Sequence, residues 1–142
     1  MIRHLNFTDI DRVVELENNE IGSSLGSEML KSYVDNHMCI AYVYELDDMV
    51  IGYISCNFDG DVLEVCNICI DNKYQNQGLG TKLLDYALNM AKAKGAISSV
   101  IDVKHNNLRA IHVYEKLGYK RIHVRKGYYK TGEDAIVLQK LF

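Results

Sequence analysis

Gln75, Gly78 and Gly80 stand between an apolar stretch and the start of a long amphipathic segment. The run Asn67-Ile68-Cys69-Ile70-Asp71 leads through Asn72-Lys73-Tyr74-Gln75-Asn76-Gln77 into Gly78-Leu79-Gly80-Thr81-Lys82-Leu83-Leu84. A helix start leaves up to four backbone N–H groups unpaired and carries a partial positive charge. Gly78 and Gly80 have no side chain to hold a ligand away from those groups. A strand, a glycine turn and a helix start in this order make a site for phosphate or pyrophosphate, with Gln75, Asn76, Gln77, Gly78, Leu79, Gly80 and Thr81 around it. A Walker A loop is excluded, because Thr81-Lys82 follows Gly80 in the wrong order. A dinucleotide fingerprint is excluded as well, since Leu83 stands where its third glycine is needed. What remains is Gln-x-x-Gly-x-Gly.

A second group lies further along. Asn107, Ala110, Ile111 and Tyr114 fall on one helix face by their i, i+3, i+4, i+7 spacing. Tyr114 carries a phenol that keeps its proton at neutral pH, its ordinary pKa being about 10. The five histidines are scattered, and no metal cluster emerges from their spacing. Cys66-x-x-Cys69 lies inside an apolar strand, where residues three apart point to opposite faces. Without a second Cys or His pair, Cys39, Cys56, Cys66 and Cys69 read as buried, reduced thiols acting as small hydrophobes.

The elements that must position these groups follow from the pattern. Ile2 to Leu5 reads as a strand. Thr8 with Asp11 reads as a capping box opening a helix whose stripe is Ile10, Val13, Val14 and Leu16-Glu17. After the loop Asn18 to Gly26, Ser27 caps a second helix with Met29, Leu30, Tyr33 and Val34. Cys39 to Glu45 and Met49 to Asn57 form a hairpin around Leu46-Asp47-Asp48. Leu63 to Asp71 is a third strand, too apolar to have one face in water. Gly78 to Lys94 is a helix with Leu79, Leu83, Tyr86, Ala87, Met90 and Ala91 on one side, stopped by Gly95. Ile97 to Val103 is another buried strand, Asn107 to Leu117 a helix ending at Gly118, and Tyr119 to Val124 and Asp134 to Gln139 a closing pair of strands. This order implies an α/β fold with a mixed sheet and helices on both faces.

Composition bounds the function. The 142 residues carry 48% hydrophobic and 25% charged side chains, as in an ordinary soluble protein, and nothing marks a linker or repeat, so residues 1–142 read as one domain. A net charge of −3 argues against nucleic acid as the main partner. No apolar run approaches the roughly 20 residues that span a bilayer. Met1-Ile2-Arg3-His4-Leu5 lacks the apolar core of a signal peptide, so the expected location is cytoplasmic and the expected state a monomer or homodimer away from any membrane.

The Gln75–Gly80 loop resembles the pyrophosphate loop of the GNAT N-acetyltransferases, which hold acetyl-coenzyme A. The order of elements is also that of the family, and Asn107-x-x-Ala110-x-x-x-Tyr114-Glu115-Lys116-Leu117-Gly118-Tyr119 is similar to its fourth conserved block. Within the family, Ile122 to Tyr129 followed by Gly132 to Ala135 resembles the RimI-like N-terminal acetyltransferases. The resemblance implies a GNAT-type mixed, mostly antiparallel central sheet of six to seven strands with helices on both faces. It implies acetyl-CoA as donor and the N-terminal α-amine of a protein as acceptor. The backbones of Ile68, Cys69 and Ile70 would then lie along the pantetheine and polarise the thioester carbonyl, as an N–H aimed at a developing oxyanion can do. Tyr114 would protonate the leaving thiolate, and Asn107 would hydrogen-bond the pantetheine arm. Asp102 stands where the pattern usually has Glu; one methylene shorter, it would act as base through a water, with Glu17 and Glu64 as rivals. Tyr128 and Tyr129 match a tyrosine pair over the substrate's first residue. The loop Asn18 to Gly26 lacks the aromatic residues common there, so a small-molecule amine acetyltransferase, receiving its cation on Glu15, Glu17 and Glu20, is the alternative. A non-catalytic acyl-CoA-binding module is a further one, against which Tyr114 and Asn107 argue.

Overall fold

The computed structural model describes residues 1–36 and 38–142. Seven strands form one sheet: β1 (Ile2–His4), β2 (Cys39–Leu46), β3 (Met49–Phe58), β4 (Val62–Ile70), β5 (Ser98–Lys104), β6 (Lys120–Arg125) and β7 (Ala135–Leu141). Their order across the sheet is β1-β2-β3-β4-β5-β7-β6, and every neighbouring pair is antiparallel except β4–β5. The helices are α1 (Ile10–Glu20), α2 (Ser27–Asp35), α3 (Leu79–Ala93) and α4 (Leu108–Lys116). Among the described residues no helix is long and apolar enough to cross a membrane.

Alternation along the strands sends side chains to two cores. Ile40 and Tyr42 join Leu83, Leu84, Ala87 and Leu88 of α3 and Ile111 of α4. Ala41 and Val43 join Val13 and Leu16 of α1 and Leu30 and Tyr33 of α2. The helices therefore cover both faces of the sheet, as the pattern implies. The apolar face of α3 is broader than the six residues expected of it, since Leu84 and Leu88 are buried beside them. Met29 of α2, expected on the buried face, is half exposed.

The helix starts differ from expectation for a local reason. Asn6, not Thr8, opens the first turn: its Oδ1 accepts from Thr8 N at 3.1 Å, while the Asp9 carboxylate accepts from Asn6 N at 2.9 Å. That reciprocal pair is a capping box two residues earlier than Thr8–Asp11. Arg3 joins it with two hydrogen bonds to Asp9, at 2.8 and 3.0 Å. Burial works to raise the Asp9 carboxyl, but the bonds from Arg3 and from Asn6 N outweigh it and hold it below the usual range. At α2 the cap position is Gly26, and Ser27 is already helical and makes no side-chain cap.

Two irregularities in the ladder matter for function. The pairing of β2 with β3 steps over Ile51 between Tyr44 and Glu45. The pairing of β3 with β4 steps over Cys66, because the consecutive Ser55 and Cys56 face Asn67 and Val65. A bulge of this kind inserts one residue and bends the strand. It also corrects the expectation that Cys66 and Cys69 point to opposite faces. Cys66 Sγ lies 3.7 Å from the Tyr33 hydroxyl and Cys69 packs with α1 and α2, so both face the same helices. All four cysteines are free thiols, and no metal-binding group of His, Cys, Asp and Glu occurs among the described residues.

Candidate active site

Strands β4 and β5 pair over Val62–Val65 and Ser98–Ile101 and no further. Beyond the Cys66 bulge, Ile68, Cys69 and Ile70 stay hydrogen-bonded to β3 through Ile54, Tyr53 and Gly52. Their other edge opens onto a cleft of about 440 Å³. Its walls are the end of β4, the turn into α3 and the inner side of α4. Backbone groups of a strand edge without a neighbour must find a partner elsewhere, and a ligand in the cleft can be that partner.

The turn into α3 is built by side chains that fold it in place. Asp71 Oδ1 accepts from Lys73 N at 3.0 Å, and its Oδ2 takes Arg12 Nη2 at 2.7 Å. Gln75 Nε2 donates to Ile70 O at 2.9 Å and to Glu20 Oε1 at 3.0 Å, while Glu20 Oε2 accepts from Asn72 N at 3.1 Å. Gly78 then takes a left-handed φ of +78°, a conformation that favours glycine. The first hydrogen bond of α3 runs from Lys82 N to Gly78 O at 3.1 Å. The N–H groups of Leu79, Gly80 and Thr81 come before it and belong to residues lining the cleft. A Cβ built on Gly78 would meet nothing within 4 Å, and one on Gly80 would lie 3.8 Å from Ile70 Cγ1, so the space before the helix start is clear. This arrangement suits a pyrophosphate group.

Of the residues expected around the donor, Ile68, Cys69, Ile70, Gln75, Asn76, Gly78, Leu79, Gly80, Thr81, Asn107 and Tyr114 all line this one cleft. Gln77 does not. Tyr114 projects from α4 with its ring edge-on to Tyr119 at 6.0 Å, and the Tyr119 hydroxyl is tied to Ser99 Oγ at 2.8 Å. The Tyr114 hydroxyl makes no hydrogen bond among the described residues, and burial, with a smaller push from Tyr129, raises the phenol to about 12. Asn107 caps α4, its Oδ1 accepting from Ala110 N at 3.2 Å, which leaves its amide N–H groups to the cleft. Arg109, the second residue of α4, also lines the cleft, as do Tyr74 and Val113, which the sequence motifs do not single out, and Glu20, expected only as a receiver of a cation.

The other expected residues stand outside this cleft. Asp102 lies on β5 between Ile101 and Val103, whose side chains enter the α3–α4 core, so it points to the opposite face of the sheet. There it pairs with Arg125 Nε of β6 at 3.6 Å. Tyr128 and Tyr129 sit on the β6–β7 turn, edge to face at 5.2 Å, with Arg125 over the first ring and Lys104 over the second. Burial first, then the charge of Asp102 and the neighbouring Tyr128, pushes the Tyr129 phenol up to about 12. Tyr129 thus feels Asp102 on one side and is felt by Tyr114 on the other. Glu64 lies apart, accepting from Asn57 Nδ2 at 3.3 Å beside a smaller pocket of about 290 Å³.

Glu17 is not open to a substrate. It is fully buried, and its carboxylate is taken by Ser24 Oγ at 2.7 Å, Leu25 N at 3.2 Å and Asn67 Nδ2 at 2.7 Å. Glu15 is paired with Arg12, and Glu20 with the turn before α3. None of the three acids is left over to receive a cationic small molecule.

Comparison with known proteins agrees with this geometry. Residues 10–119 match the model of the acetyltransferase (GNAT) family. An N-alpha-acetyltransferase of Sulfurisphaera tokodaii is 25% identical over 96% of this chain and 90% of its own. The ribosomal protein bS18-alanine N-acetyltransferase of Escherichia coli is 36% identical over 55% of each chain. The crystal structure of the ribosomal-protein-S18-alanine N-acetyltransferase from Escherichia coli superposes with a TM-score of 0.91 over 99% of this chain and 92% of that one, at 24% identity. With the family model spanning most of its length and a pyrophosphate-ready cleft where strands β4 and β5 part, the chain belongs to the GNAT family of acetyltransferases.

Proposed function

We propose that this acetyltransferase moves the acetyl group of acetyl-CoA to the N-terminal α-amine of a protein, by direct attack of the amine on the thioester. The observation that carries the choice of acceptor is the division of the site. The donor cleft lies on the α3–α4 side, Asp102 points to the other face, and Glu15, Glu17 and Glu20 are each engaged by groups of the protein itself. The start of α3 and Arg109 would hold the phosphates, and Asn107 the pantetheine arm. The free edge of Ile68–Ile70 would offer its N–H groups to the thioester oxygen as negative charge develops there. Asp102, through a water, would take the proton from the attacking amine. Tyr114 would deliver a proton to the departing sulfur. A phenol at about 12 is a weak acid beside a thiol of reference pKa near 8.5, but burial raises the thiol in the same place and narrows the gap.

An α-amine titrates near 7.7–8.0, so a weak base acting through water suffices. A lysine amine near 10.4 would cost over 3 kcal/mol to free at neutral pH, at about 1.36 kcal/mol per unit. Turnover with short peptides should therefore place acetyl on the α-amine and leave internal lysines untouched, as mass spectrometry of the products will show. Tyr129→Ala should raise KM for peptides at least tenfold while leaving KM for acetyl-CoA within threefold. Acetyl found on polyamines, aminoglycosides or lysine side chains instead would reject the N-terminal acceptor and leave the acetyltransferase in place.

A further inference from the structure

Glu17 is a carboxylate with no exposed surface and no ion-pair partner among the described residues. Such a group is costly to bury unless hydrogen bonds replace its water. Three do: one oxygen accepts from Ser24 Oγ and Leu25 N, the other from Asn67 Nδ2. Its three partners come from two places that nothing else in the network joins. Ser24 and Leu25 belong to the α1–α2 loop, and Asn67 follows the Cys66 bulge, one residue before the strand edge that faces the donor. The charge is felt along that strand: burial first, then Glu17 and Glu20, pushes the Cys69 thiol up to about 12. Three residues on, Glu20 is tied to Asn72 N and Gln75 Nε2, in the turn before α3. The last turn of α1 therefore holds the loop, the reactive strand and the phosphate turn together.

We infer that Glu17 is a positioning residue for the acceptor, fixing the α1–α2 loop against Asn67 so that the loop forms one wall of the passage to the strand edge. This rests on the proposed function, in which the acceptor comes from the face of the sheet opposite the donor cleft, the face that α1 and α2 cover. The bond between Glu17 and Asn67 runs from an amide donor to a carboxylate acceptor, and that polarity can be reversed. Asn67→Asp sets a second carboxylate against Glu17 at 2.7 Å with no cation to relieve it. Adding Glu17→Gln supplies an amide donor to the carboxylate introduced at position 67 and restores the bond.

Asn67→Asp should raise KM for the acceptor at least tenfold, speed proteolysis or amide exchange in residues 21–26, and leave acetyl-CoA affinity by calorimetry within threefold. The double variant should recover the acceptor KM to within threefold of wild type. Ser24→Ala, which removes one donor of three, should show a weaker form of the same pattern in a protein that folds. Equal losses of acetyl-CoA and acceptor binding, or no recovery in the double variant, would overturn the proposal, as would unchanged exchange at Leu25 in Ser24→Ala. KM is read with whichever amine is turned over, so a failure of the peptide reading shows in the products and a failure of Glu17 in the variants.

Discussion

Tyr114→Phe should bind acetyl-CoA as the wild type does and turn it over about 10²–10⁴-fold more slowly, the usual worth of a positioned general acid. The substitution removes one oxygen and keeps the ring, so the edge-on packing against Tyr119 survives and the cleft keeps its shape. The hydroxyl has no hydrogen bond to lose, so stability should hardly change. Calorimetric titration with acetyl-CoA, thermal melting and steady-state kinetics separate the three quantities. Turnover within a few-fold of wild type would mean that the sulfur collects its proton from another source. A matching fall in acetyl-CoA affinity would make Tyr114 a binding residue.

Gly80→Val should weaken acetyl-CoA at least tenfold, equivalent to about 1.4 kcal/mol, with the melting temperature nearly unchanged. Gly80 has ordinary helical φ, and its added Cβ would be in normal contact with Ile70, so the fold tolerates the branch. The two methyl groups would nevertheless stand beside the unpaired N–H groups at the start of α3 and keep a phosphate away from them. Gly78 makes a poorer test. At φ +78° any side chain there costs roughly 1–2 kcal/mol of backbone strain, and lost binding would mix with lost stability. Unchanged affinity in a folded Gly80→Val protein would remove the phosphate site from α3.

What the sequence made legible was whatever is written locally. The strand–turn–helix from Asn67 to Leu84 and the face Asn107–Ala110–Tyr114 are contiguous motifs with a helix period, and the structure brings them to one cleft. Their order along the chain was enough to imply the mixed sheet with helices on both faces. What escaped depends on partners distant in sequence or on single-residue irregularities. The bulges at Ile51 and Cys66 leave no mark on an apolar run, so the faces of Cys66 and Cys69 came out wrong. Arg109 is one basic residue among many until α4 turns it into the cleft. Capping was misplaced because Asn6 and Thr8 are both good caps, and Arg3, three residues earlier, settles the choice by binding Asp9. Glu17 did leave a trace. It shares the stripe of Ile10, Val13 and Leu16, all buried, where an acid has no reason to be unless something inside receives it.

The bulge at Cys66 has a consequence for the donor cleft. Before it, Leu63 and Val65 face the α3 core; after it, Ile68 and Ile70 do. If Cys66 were deleted, strict alternation would still send all four of these residues to the same core, and Asn67 would follow Val65 opposite the consecutive Ser55 and Cys56. The strand would run straight, free to continue alongside β5, and the gap that admits the donor would close. A protein lacking Cys66 is thus expected to keep its hydrophobic interior while its donor cleft narrows.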